Sequence, residues 1–145
     1  MKRLLGCLLL LGAALTAQVT SMESIFLALK DPHADRRLLS AKLAAEITHV
    51  SKGNHGGTVE RFSEDVTTAL LGKNITTDRA AALQKEMADV LSGKGSTFIP
   101  AARFRETLLS CGVDDRNTQV VVDRFTYLGR EVRGPDDVPV RKPQR

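Results

Sequence analysis

The chain has 145 residues, 26% of them charged, with a formal net charge of +4. Without Lys2 and Arg3 the 21 basic residues fall to 19 against 17 acidic ones, and from Gln18 to Val132 there are 15 of each. A neutral body with no tryptophan, one tyrosine and five phenylalanines excludes an extended nucleic-acid surface and a base-stacking platform.

Lys2 and Arg3 precede a short apolar run, Leu4 to Leu15, and Leu15-Thr16-Ala17 offers a small-residue cleavage site. This is the layout of a secretory signal peptide over residues 1–17. A retained anchor would need about 20 apolar residues to span a bilayer comfortably. The letters Leu4-Leu5-Gly6-Cys7 resemble the bacterial lipoprotein box, but here the apolar run follows the cysteine instead of preceding it. The chain is therefore expected to be exported, periplasmic or extracellular, with residues 18–133 forming a single helical domain and 134–145 a disordered tail. That tail, with three prolines and no periodicity, also carries part of the basic excess.

In chain order, Ser21 to Lys30 is a short apolar turn or helix with Ile25, Phe26 and Leu29 to bury. Asp31 suits an N-cap and Pro32 the first position of a helix running to about Lys52. Leu39, Leu43, Ile47 and Val50 line its inner face. The Ser51–Gly57 stretch, with three glycines in seven residues, is a flexible connector.

Residues 57–93 read as two amphipathic helices. Val59, Phe62, Val66, Ala69 and Leu70 share one face of the first, and Ala80, Leu83, Met87, Val90 and Leu91 one face of the second. Gly72 can end the first helix and Thr76 or Thr77 can cap the second. So short a connection predicts an antiparallel hairpin of neighbours.

Beyond it, Thr97 to Ile99 is expected to be extended, with Pro100 opening a helix that continues to Cys111 and ends at Gly112. Asp114 caps a last helix from Asp115 to about Arg133, with Val121, Phe125, Leu128 and Val132 aligned. The Val120-Val121-Val122 run has strand propensity, but the cap and spacing favour helix. The fold class is all-α, a small bundle of about five short amphipathic helices with a possible extra one at the start.

Glu46 and His49 lie three apart on a helix, as ligands do in carboxylate-bridged metal bundles, but no second such pair exists. His49 and His55 could instead meet across the glycine connector and hold one metal with Glu46 or Glu60. The Gly93-Lys94 pair fails as a phosphate loop, since Ala88 stands where a glycine is required and Gly95 where a hydroxyl is. The helix–loop–helix rhythm resembles paired EF-hands, yet the loops offer lysines and threonines where calcium needs carboxylates. Asn74-Ile75-Thr76 has the form of an N-glycosylation acceptor and also suits a plain turn. Glu60, Glu64, Asp65, Glu86 and Asp89 are expected to form a solvated face with Lys85 and Arg61.

After cleavage Cys111 is the only thiol, suited to burial as a small hydrophobe or to an intermolecular disulfide. No complete catalytic set and no cofactor motif is present. The expected function is a small exported interaction or adaptor protein without catalytic activity, with a protein partner or a second copy of itself. The alternatives are a metal- or small-ligand-binding protein using Glu46, His49 and His55, and a peripheral membrane protein with an uncleaved N-terminus.

Overall fold

In the computed structural model, which describes residues 21–51, 57–93 and 97–133, six helices make up the described chain and no strand occurs among those residues. The segment expected to be a signal peptide, residues 1–17, together with His55, Lys94 and the residues from 134, lies outside the described residues. The helices are α1 (Met22–Ala28), α2 (Arg36–Ser51), α3 (Gly57–Leu70), α4 (Thr77–Leu91), α5 (Phe98–Ser110) and α6 (Asp115–Arg133). No described helix is long and apolar enough to cross a membrane.

Local chemistry sets most boundaries. The Ser21 hydroxyl caps α1 by accepting from the Ser24 amide at 3.2 Å, and Thr76 does the same for α4 through the Arg79 amide at 3.2 Å. Asp114 caps α6, accepting from the Asn117 amide at 2.7 Å. The end of α5 closes in a Schellman motif: Gly112 donates to Leu109 and Val113 to Leu108, with both Leu108 and Val113 buried.

Two helix starts differ from expectation. The Asp31 carboxylate accepts from the His33 amide at 2.9 Å, closing a local turn in which Ala34 donates to the Asp31 carbonyl. The helix-starting role passes to Asp35, whose side chain accepts from the Leu38 amide at 3.2 Å, so α2 begins at Arg36. Thr97 is helical in its backbone, not extended, and α5 begins at Phe98 with Pro100 inside the first turn, where its missing N–H has no helical partner to lose.

The core is one continuous cluster. Phe62, Phe104 and Phe125, from α3, α5 and α6, meet at its centre with ring centroids 4.6 to 6.1 Å apart, and all three are fully buried. Leu39, Leu43 and Ile47 of α2 point inward as expected, whereas Val50 on the last turn is 37% exposed. The valine run is helical: Val121 is buried while Val120 is exposed, a split that follows from helical, not strand, spacing of neighbours around the core.

The expected hairpin of α3 and α4 does not form. The helix pairs in broad contact are α3 with α6 and α2, α4 with α5 and α1, and α5 with α6. The reason lies in the connection. Gly72 has a positive φ of 74°, and its amide, free to satisfy α3 locally, donates instead to the Leu29 carbonyl at 2.7 Å. Two residues on, Asn74 donates to the Cys111 carbonyl at 3.0 Å. The loop is thus drawn across the loops that follow α1 and α5, and the chain crosses the end of the bundle instead of reversing on itself. At Gly72 any side chain would adopt an unfavourable left-handed backbone, and its Cβ would come within 3.2 Å of Pro32.

Candidate functional site

The histidine and carboxylate candidates are not gathered into a centre. Glu46 is half-buried on α2, His49 is exposed one turn later, and Glu60 is exposed on α3. Among the described residues no group of three or more histidines, cysteines, aspartates or glutamates is placed to hold a metal.

Cys111 is 1% exposed and free. Burial raises its thiol pKa above the usual value, and the Arg79 guanidinium offsets this only in part. A raised pKa is the wrong direction for a nucleophile, which works as the thiolate. A disulfide to a second chain would require the end of α5 to open first.

The carboxylates of α3 and α4 divide into three kinds of environment. Asp89 pairs with Lys85 at 3.1 Å on an exposed turn, and Asp65 pairs with Arg124 of α6 at 3.1 Å. Glu60 and Glu64 are exposed, as expected. Glu86 is not part of a solvated face: it is 4% exposed and its Oε1 has no hydrogen-bond partner. Its place on the helix explains why, since it stands three residues after Leu83 and four before Val90, both fully buried.

Burial raises the Glu86 carboxyl pKa, with Lys85 and Arg103 pulling the other way and Asp89 adding to the rise. The native state therefore holds this proton at a pH where the unfolded chain has released it. The contribution of Glu86 to stability therefore rises as pH falls through the window just above the ordinary glutamate value, and the ionised group is a burden at neutral pH. Glu86→Met, which keeps the volume and removes the charge, is expected to stabilise the protein by about 1 kcal/mol at neutral pH. Thermal unfolding at pH 7 and pH 4 checks this: the gain must shrink at the lower pH.

Among the described residues a groove of about 640 Å³ lies between α2 and α3, lined by Arg36, Arg37, Ser40, Ala41, Ala44, Glu60 and Glu64. Its floor consists of small residues from α2. Its charged groups form no ion pair with one another. A second, smaller recess of about 420 Å³ lies between α3 and α6 at Gly57, Thr58, Arg61, Arg124 and Tyr127. The sequence offered a trace of the first groove, in small residues Ser40, Ala41, Ala44 and Ala45 spaced around one side of α2, but nothing that paired them with Glu60 and Glu64.

No protein-family model, no curated protein and no solved structure matches this chain.

Proposed function

We propose that this is a small exported helical protein that acts by binding another protein surface and carries no catalytic activity. The observation that carries the reading is the amount of apolar surface left outside a core that is already closed. Leu38 is 50% exposed on α2, Phe98 and Ile99 are each 59% exposed at the start of α5, and Val120 is 42% exposed on α6. Leu38, Ala41 and Ala45 share the outer side of α2, so that helix is apolar outward as well as inward. The strip of Leu38, Ala41 and Ala45 on α2 and the adjacent pair Phe98 and Ile99 at the start of α5 are each continuous apolar surface of the kind that marks interaction surfaces. Export rests on the sequence features of residues 1–17. In keeping with a non-catalytic role, burial raises the Cys111 thiol pKa, Glu60 and Glu64 are exposed, Asp65 and Asp89 are ion-paired, and Glu86 is buried.

Photo-crosslinking in the producing cell tests this. A photoreactive side chain at Leu38 or Ile99 is expected to give adducts of defined mass, a second copy or another protein, and one at exposed Asp115 none. If neither apolar position yields an adduct under conditions where the protein accumulates, the binding function fails.

A further inference from the structure

We infer that the groove between α2 and α3 is a self-association face, closed by the same groove of a second copy of this chain. The inference rests on the binding function above and deepens it by naming the partner. Three features of the groove support it.

The first is the order of its charges. Arg36 and Arg37 stand on the first turn of α2, while Glu60 and Glu64 stand on the first two turns of α3. The two helices pack broadly against each other, and the five residues joining them reach at most about 20 Å, less than the length of α2 at about 24 Å, which sets the packed pair antiparallel. The start of each helix then lies at the opposite end of the pair from the start of the other. The groove is basic at one end and acidic at the other.

The second is that these four groups satisfy none of one another. They lie along one groove, yet among the described residues none of the four has an ion-pair partner within 4 Å. A two-fold axis perpendicular to the groove brings the basic end of one copy onto the acidic end of the other, twice over. An isologous interface requires this property, because the patch must be complementary to itself.

The third is shape. Ser40, Ala41 and Ala44 form the floor, with Leu38 one turn from Ala41 on the outward side. Small side chains let two helix backbones approach closely, and Leu38 gives each copy an apolar anchor beside the crossing. The flanking charges then set the antiparallel orientation of the two copies.

Charge reversal and its rescue test this on the purified full chain. Sedimentation velocity should show the unaltered chain passing from monomer to dimer as its concentration rises. Arg36→Glu/Arg37→Glu, and separately Glu60→Arg/Glu64→Arg, should each weaken self-association by about tenfold or more, as reversed pairs at an interface do. Mixing the two reversed variants should restore a dimer containing one of each, which also shows that both are folded. Added salt should weaken the unaltered dimer. A chain that stays monomeric throughout overturns the inference, and so do reversed variants that dimerise as well as the parent or fail to rescue each other. If the crosslinks at Leu38 or Ile99 then lead to a different protein, the binding function stands and only the identity of the partner falls.

Discussion

Phe125→Ala should cost about 3–5 kcal/mol, the range for removing a fully buried aromatic ring from a core. The ring is fully buried, 4.6 Å from Phe104 and 6.1 Å from Phe62 between centroids, so its loss opens a space that three helices border at once. Because α6 packs most broadly on α3, and α3 carries Phe62, no single side chain can swing in to fill the gap without leaving its own helix. Against a typical total of about 5–15 kcal/mol, this removes a large share of the stability. Phe125→Leu, which retains most of the volume, should cost less than about 1.5 kcal/mol. Denaturant titration followed by circular dichroism reads both. A Phe125→Ala protein within about 1 kcal/mol of the parent would show that the three rings are not the centre of the core.

The second large effect concerns a helix position where alanine should be worse than glycine. In the interior of a helix, replacing glycine by alanine ordinarily gains about 1 kcal/mol. Gly129 lies in α6, and a Cβ there would fall 2.7 Å from both γ atoms of Thr97 and 3.3 Å from its Cβ. Thr97 is buried, short and branched at Cβ, so it has no flexible end to swing aside. Gly129→Ala should therefore lower stability, and Gly129→Val should lower it by about 3 kcal/mol, at the upper end for overpacking. Thr97→Ala in the same chain should recover part of the Gly129→Ala loss, a coupling of about 1 kcal/mol in a double-mutant cycle. Gly129→Ala more stable than the parent would mean that α5 and α6 do not approach this closely at their shared end.

What could be read in the sequence was decided by local physics. The apolar spacing of Phe62, Val66 and Leu70, or of Val121, Phe125 and Leu128, depends only on helical periodicity, and each of these residues is buried. Thr76 and Asp114 were legible as caps because a cap acts within three residues of itself. The start of α2 was misplaced for a related reason: Asp31 and Asp35 are both competent caps, and only the fold decides which one closes a turn and which starts a helix. The false hairpin had a different cause. A six-residue link is long enough to do something other than reverse, and the bonds that direct it come from Leu29 and Cys111, far away in the chain. Glu86 could have been found. Its position between Leu83 and Val90 puts it on the buried stripe, while its charge argues for the solvated face. The groove could not have been, since it exists only where α2 lies against α3.

The crossing of loops at one end of the bundle also bears on how the chain reaches this structure. Gly72 is tied to a residue 43 positions earlier and Asn74 to one 37 positions later. A bundle of simple hairpins can assemble one neighbouring pair at a time, each pair closing a short loop. Here the link between α3 and α4 finds its hydrogen bonds only when the ends of α1 and α5 have arrived, so neither half of the molecule holds a finished core or a finished loop alone. Long loops must close before those contacts repay the lost chain entropy. The described helices are therefore bound into a single cooperative unit, and the six residues between α3 and α4, which look like a plain turn in the sequence, are where that unit is locked.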